Sequence, residues 1–463
     1  MRTVAFHTLG CKVNFYDTEA IWQLFKKDGY EQAPFDQRAD VYVINTCTVT
    51  HVGDKKSRQM IRRAIRQNPE ATVVVTGCYA QIAPDEVMGI PGVDLVIGTQ
   101  HREQMMDLVH KVQTERKPYN FVGNIMQQRN FEELDVPYFM DRTRASLKIQ
   151  EGCNNFCTFC IIPYSRGFLR SRKPENVIRQ AKRLVEAGYY EIVLTGIHTG
   201  GYGADLPDYS LAKLLADLEN VEGLHRIRIS SIEASEIDDE AIEVLAKSKK
   251  ICRHLHIPLQ AGDNQVLKKM NRRYTTEQFA EKIQKLRQAL PDLAITSDVI
   301  VGFPGESDEG FEATYRFISE QNFAQLHVFP YSKRRGTPAA KFQNQVPEDV
   351  KEHRVQRLIE LSEQLMNEYA ASFLGKTLEV IPEEFYDEEK TLVVGHADNY
   401  VKVIFPGGKE VLGQICEVKL DRVEKELAFG QMVRQVTFAK TEEDVSLEDQ
   451  PLFDQHPVQF EAI

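Results

Sequence analysis

The chain has 463 residues, 42% of them hydrophobic and 27% charged, and a net charge of −11. That length asks for two or three domains, with apolar material for several cores. The acid excess excludes a protein coated uniformly for nucleic acid, and the longest apolar runs are strand-sized, so no membrane span is expected. The start, MRTVAFHTLG, runs directly into a strand without a signal-peptide core, so a cytoplasmic location with reduced thiols is expected.

Over residues 1–115 strand-like and helical patterns alternate. Apolar runs near 3–8, 41–45, 72–76 and 93–97 are separated by amphipathic stretches such as TEAIWQLFKKDG (18–29). This predicts an open parallel α/β sheet. Three of its runs end in a cysteine: TVAFHTLGC, DVYVINTC and TVVVTGC, giving Cys11, Cys47 and Cys78. The intervals of 36 and 31 residues (47 minus 11, 78 minus 47) are each about one βαβ unit. All three cysteines therefore fall after carboxyl ends of parallel strands, where open α/β sheets carry their sites.

A weakly patterned linker is read at 116–138, and a second alternating region at 139–370. Its strand candidates are 145–150, 191–195, 225–230, 253–259, 294–301 and 325–330, with helical patterns at 174–188 and 275–290. Six βα units are too few for an eight-fold barrel and predict a partial (β/α)6 barrel. EGCNNFCTFC follows its first strand and places Cys153, Cys157 and Cys160 in one loop. A helix over 352–375 is read as the connector to short strands at 371–438, which predict a small all-β barrel of OB-like size. Residues 439–463, with seven acids in the last 23 and no Lys or Arg there, read as a disordered acidic tail.

Six of the eight cysteines thus form two sets of three. A fully coordinated iron–sulfur cluster takes four thiolates, so a set of three leaves one iron open to another ligand. In the Cys153 loop, Asn154, Asn155 and Thr158 can donate hydrogen bonds toward sulfur, and Phe156 and Phe159 can exclude water. The alternative is a structural zinc loop, but the next cysteine, Cys252, is distant. Cys252 and Cys416 read as packing residues, Trp22 as core, and His7 and His198 as strand-end histidines without metal-ligand company.

CxxxCxxC after the first strand of a partial barrel resembles the radical S-adenosylmethionine (SAM) superfamily. With GCKVN (10–14), NTCTVT (45–50) and TGCYAQ (76–81), the layout over residues 1–437 resembles the radical SAM methylthiotransferases, whose C-terminal module is a TRAM β-barrel. The resemblance implies two [4Fe–4S] clusters. Cys153, Cys157 and Cys160 would hold the one that binds and cleaves SAM. Cys11, Cys47 and Cys78 would hold an auxiliary one carrying the sulfur to be inserted. It also implies SAM contacts from Thr195 and Gly196 in LTGIHTGGYG, Ser231 and Glu233 in SSIEASEI, and Gln260 in HIPLQAGDN.

Local basic stretches suggest a polyanion despite the overall acidity. On a helix over 54–67, Met60, Ile61, Ala64 and Ile65 would be buried, and Lys55, Arg58, Arg62 and Arg66 would face solvent. Arg166, Arg170 and Arg172 follow the cluster loop, and SKRRG (332–336) adds a third cluster. These seven named cations are read as contacts to an RNA backbone, although a solvated charged face is the plainer alternative.

GCKVN, NTCTVT, GDKKSRQ and YSRGFLRSR most resemble the family branch acting on N6-threonylcarbamoyladenosine at position 37 of tRNA. The expectation is insertion of methylthio at carbon 2 of that adenine, with the anticodon arm as partner, a flavodoxin or ferredoxin as electron donor, and a monomeric enzyme. The alternatives are the isopentenyladenosine branch, whose substrate pocket should be more apolar, and a branch modifying a ribosomal aspartate. A non-catalytic iron–sulfur RNA-binding protein is the alternative of a different class.

Overall fold

The computed structural model describes residues 2–137, 139 and 143–436. The acidic tail at 439–463 lies outside the described residues.

The first domain is a six-stranded parallel sheet in the order β2-β1-β3-β4-β5-β6. Its strands are β1 (Arg2–Thr8), β2 (Tyr30–Gln32), β3 (Val41–Thr46), β4 (Thr72–Gly77), β5 (Leu95–Ile97) and β6 (Tyr119–Phe121). β3 reads VYVINT and is buried at every position, as a central strand covered on both faces must be. β6 falls inside the expected linker and pairs in parallel with β5, so the sheet extends past residue 115. The rest of that linker is packed as well: Leu134 and Val136 are buried in the barrel core, and Asp135 pairs with Arg183.

Helix α1 (Lys12–Lys27) begins earlier than its apolar pattern at 18–29 suggested. Cys11 stands at its amino-terminal cap, entered through Gly10 at φ +103°. A β-carbon on Gly10 would lie 2.9 Å from the Cys47 β-carbon and sulfur, so only glycine lets these two cysteine loops approach. α2 (His51–Gln67) follows the Cys47 loop, with the Thr50 side chain accepting from Gly53 N–H as its cap. α3 (Cys78–Ile82) starts at Cys78 itself.

The second domain contains β7 (Ala145–Lys148), then a two-stranded ribbon of β8 (Gln150–Glu151) and β9 (Arg170–Ser171). β10 (Glu191–Thr195), β11 (Arg226–Ile229), β12 (His254–His256), β13 (Ala294–Val301) and β14 (Gln325–Pro330) complete it. Parallel ladders join β7-β10-β11 and β12-β13-β14, and an Ile227–Ile251 bridge connects the two ladders. The result is the expected partial barrel of six parallel strands. The helix Glu348–Ala371 leads to β15 (Thr377–Phe385), β16 (Leu392–Ala397), β17 (Lys402–Pro406), β18 (Ile415–Glu424) and β19 (Leu427–Val436). These close into a barrel in the order β15-β16-β17-β19-β18.

The small barrel docks at the amino ends of the parallel strands. Arg228 donates to the carbonyls of Ala397 (3.1 Å) and Asp398 (3.2 Å), Arg144 pairs with Glu383 (2.6 Å), and His254 stacks on Tyr400 at 4.1 Å. All cysteines of the two sets lie toward the other end. Among the described residues no helix is long and apolar enough to cross a membrane.

Candidate active site

Cys11, Cys47 and Cys78 follow β1, β3 and β4, three adjacent strands of one sheet, and so converge at its carboxyl edge. Cys47 and Cys78 are buried and Cys11 is exposed, which leaves the set one open side. Ser57 in α2 holds the Cys47 loop by donating to the Cys47 carbonyl at 3.2 Å. Burial, with Cys78 close by, pushes the Cys47 thiol up to about 12. Gly77 at φ +93° brings Cys78 to the edge, and a β-carbon there would clash with Asn45 and the Thr46 backbone.

Cys153, Cys157 and Cys160 lie in the loop between β8 and the short helix Ile162–Arg166. The loop is fixed from outside: Thr158 N–H donates to Met270 O (3.0 Å), Thr158 Oγ1 to Lys269 O (2.8 Å), and Leu169 N–H to Asn154 Oδ1 (3.0 Å). Asn154 and Thr158 therefore brace the loop and do not reach sulfur. The Asn155 backbone N–H does, donating to Cys153 Sγ at 3.4 Å. Phe156 packs edge-on against Tyr164 and Phe168, and Phe159 against Phe303, on the apolar side of the loop.

Two residues that the sequence left without a role complete this site. Arg272 donates to Cys157 Sγ at 3.4 Å and pairs with Glu233. His198 contacts Glu236 and Asn155 beside Cys153. Burial would lower the His198 pKa, but Cys153 and Glu236 outweigh it and raise it to about 10. A cation beside thiolate sulfur offsets cluster charge.

The five candidate SAM residues all follow carboxyl ends of barrel strands. Thr195 ends β10 and is buried, with its hydroxyl donating to Val193 O at 3.2 Å. Gly196 lies against Gln150, whose Oε1 would be 2.9 Å from any β-carbon there. Ser231 is exposed, and Glu233 is held by Arg272. Gln260 sits at φ +67°, and its buried Oε1 has no hydrogen-bond partner. An orphaned acceptor of this kind fits a site completed by a ligand.

The basic cluster after the loop is not on the surface. Arg166, Arg170 and Arg172 are 0%, 3% and 4% exposed, so none can reach an RNA phosphate. Arg172 pairs with Glu133, and Arg170 donates to the carbonyls of Phe168 and Arg166. Arg166 crosses to the first domain, donating to Cys78 Sγ at 3.2 Å and pairing with Asp17 at 2.7 Å and Glu151 at 3.1 Å. Lys148 pairs with Asp17 at 2.7 Å, and Arg102 also reaches Asp17 and Glu151. Burial would raise the Glu151 carboxyl, but Arg166 and Lys148 hold it at about 2. A guanidinium six positions after Cys160 thus touches a sulfur of the other set, through a buried ion network that joins the two domains.

On α2 the expectation holds in part. Ile61 and Ala64 are buried, and Lys55, Arg62 and Arg66 are exposed. Arg58 is turned inward onto the Tyr79 hydroxyl (3.0 Å) and Glu86 (3.1 Å). Arg334 of the SKRRG cluster is also buried, donating to Thr48 Oγ1 (2.6 Å) and Asp54 (2.7 Å) and so tying the Cys47 loop to the barrel.

Neither cysteine set matches a single ion. Thiolates 2.3 Å from one zinc would stand about 3.8 Å apart. Among the described residues the only three potential ligands within 4.8 Å of one another are His256, Asp298 and His327, so both cysteine sets are spaced wider. The wider spacing suits the corners of a cubane cluster.

Comparison with known proteins agrees with this layout. Residues 147–318 match the radical SAM superfamily, 3–98 the uncharacterized protein family UPF0004, and 371–433 the TRAM domain. A solved radical S-adenosylmethionine methyltransferase, TsrM from Kitasatospora setae, covers 73% of this chain and 77% of its own at TM-score 0.53 and 16% identity, a likeness of fold. The threonylcarbamoyladenosine tRNA methylthiotransferase MtaB of Bacillus subtilis is 63% identical over 96% of this chain and 99% of its own length. The same-named protein of Aquifex aeolicus is 41% identical over 90% of this chain and 99% of its own. The tRNA-2-methylthio-N(6)-dimethylallyladenosine synthase of Carboxydothermus hydrogenoformans is 35% identical over 89% of this chain and 95% of its own. With the radical SAM and TRAM matches in one chain and 63% identity to the Bacillus subtilis protein over nearly its full length, the chain belongs to the radical SAM tRNA methylthiotransferase family.

Proposed function

We propose that this protein converts N6-threonylcarbamoyladenosine at position 37 of tRNA to its 2-methylthio derivative. The observation that carries this reading is Arg166, which follows the Cys153 loop in sequence and contacts Cys78 in space. Two cysteine sets with separate duties must serve one substrate atom, and this contact sets them on either side of one interface. The Bacillus subtilis relative, similar over nearly the full length of both chains, carries the substrate assignment.

In this reading Cys153, Cys157 and Cys160 hold the SAM-binding cluster, and Cys11, Cys47 and Cys78 the auxiliary one. When bound, SAM and the two clusters supply the radical, the methyl group and the sulfur. The chain's own groups position and shield. Arg272 places positive charge beside Cys157, and His198 braces the loop through Asn155. Thr195, Gly196, Ser231, Glu233 and Gln260 line the SAM pocket at the strand ends. Phe156 and Phe159 keep water from the loop. Exposed Lys55, Arg62 and Arg66 take anticodon-arm phosphates, bringing the loop, whose bases can be splayed out, to the interface. The enzyme works in the cytoplasm as a monomer, reduced by a flavodoxin or ferredoxin.

The test is mass spectrometry of tRNA nucleosides from a strain lacking the gene. The methylthio derivative should vanish while threonylcarbamoyladenosine accumulates. Normal levels of the derivative, in a strain with no second such enzyme, would refute the assignment.

A further inference from the structure

The barrel lumen is polar where a lumen serving an apolar base modification should be apolar. Along β13, Ile295, Val299 and Val301 pack into the core beneath the helices. Thr296 and Asp298 alternate with them and so face inward. The register sets His256 opposite Thr296, and Asp298 opposite His327. The ligand atoms of His256, Asp298 and His327 lie within 4.8 Å of one another.

These groups are only partly satisfied. His256 uses Nδ1 with Thr296 Oγ1 (3.0 Å) and Nε2 with Asp298 (3.3 Å). His254 uses Nε2 with the same hydroxyl, while its Nδ1, in a side chain 5% exposed, has no partner. The His327 ring lies 5.6 Å from His256 and makes no hydrogen bond among the described residues. The charge of Lys12, next to Cys11, is felt by both His254 and His327. A buried nitrogen without a partner, as at His254, and a half-buried unpaired ring, as at His327, disfavour an apolar ligand and suit a polar one.

We propose that His256, Asp298 and His327 form the pocket that reads the threonylcarbamoyl group. This rests on the substrate reading above and deepens it. The threonine-derived group carries a carboxylate, a hydroxyl and ureido N–H groups. His327 meets the carboxylate. Asp298, oriented by His256, accepts from the N–H groups and from the hydroxyl. The same trio has the donor types of a divalent-metal site. However, both His256 nitrogens are already engaged, so coordinating an ion would break the contact with Thr296 or with Asp298.

The experiment uses the reconstituted holoenzyme and anticodon stem–loops carrying, at position 37, threonylcarbamoyladenosine, its carboxyl methyl ester, or isopentenyladenosine. Wild type should prefer the free acid over the ester by about 10–100-fold in kcat/KM, the range of one charge-assisted hydrogen bond. His327→Leu should bring that ratio close to one, whereas His256→Leu, which unseats Asp298, should lower kcat/KM for acid and ester alike. His327→Gln, which keeps a donor, should retain part of it and serves if the leucine variant does not fold. An acid-to-ester ratio unchanged in all variants overturns the pocket while leaving the substrate reading intact. So does about one equivalent of zinc per chain that His327→Leu removes. A wild-type enzyme acting on isopentenyladenosine and not on threonylcarbamoyladenosine overturns both, and shows this before any variant is made.

Discussion

Replacing Arg166 by methionine tests the join between the two cysteine sets. The guanidinium is fully buried, pairs with Asp17 at 2.7 Å and Glu151 at 3.1 Å, and donates to Cys78 Sγ at 3.2 Å. Methionine matches the stem but leaves two buried carboxylates short of a partner. Breaking a buried pair costs about 3–5 kcal/mol. Lys148 and Arg102 still serve Asp17 and Glu151, so the lower figure applies. For domains of this size each kcal/mol moves Tm by about 2–4 °C, so Arg166→Met should lower Tm by roughly 6–12 °C. The auxiliary cluster should also become harder to reduce, because a hydrogen bond and a positive charge are lost beside it. Arg166→Lys, which keeps the charge and loses the fork, should fall between the two. Thermal unfolding and redox-poised spectroscopy of the holoenzyme read both effects. A Tm within about 2 °C of wild type and an unchanged potential would refute the ion-network argument.

Other consequences follow from named contacts. Cys157→Ala should abolish SAM cleavage, whereas Cys47→Ala should spare some cleavage and stop sulfur insertion; equal loss of both activities in two folded variants would contradict the division of labour. Glu191 lies under the TRAM module, where burial would raise its pKa but Arg228, Arg144 and Arg226 hold it at about 2 against an ordinary 4.5. Its stabilisation is present above pH 4.5 and lost as pH falls toward 2, on the order of 3 kcal/mol in all, and acid titration of Glu191→Gln should show that component missing. Replacing Lys55, Arg62 and Arg66 together by alanine should weaken tRNA binding and flatten the plot of log affinity against log salt by about 2, if each cation meets one single-stranded phosphate. The same substitutions at Arg170 and Arg172 should act through stability and leave that slope unchanged.

The parts of the fold legible in the sequence were those whose physics is local. Ala294–Val301 and Gln325–Pro330 take the bounds their β-branched and apolar residues suggested, because those strands are bounded by turns and covered by helices. The placement of the six cysteines was legible because three follow separate strand ends and three follow one, a property of order along the chain. Arg166, Arg170 and Arg172 were misread for the opposite reason. Charge in sequence says nothing about which carboxylates fold beside it, and Asp17 and Glu151 lie 149 and 15 positions away from Arg166. Two signals were present, in that Lys148 interrupts an otherwise apolar strand segment with Glu151 just after it, and Asp17 interrupts an amphipathic helix. Arg272 and His198 had no such signal, because their partners Cys157 and Cys153 are reached only through barrel closure. The first turn of α1 was missed because KVNFYD buries Asn14 and Asp17, polar residues that serve the interface and spoil the apolar period.

The most direct measurement offers the reconstituted enzyme, with SAM and a reductant, equal amounts of tRNA carrying threonylcarbamoyladenosine and tRNA carrying isopentenyladenosine at position 37. Nucleoside mass spectrometry should show methylthio on the threonylcarbamoyladenosine and the other nucleoside unchanged. Methylthio on isopentenyladenosine alone, or 5′-deoxyadenosine formed with neither nucleoside modified, would contradict the account.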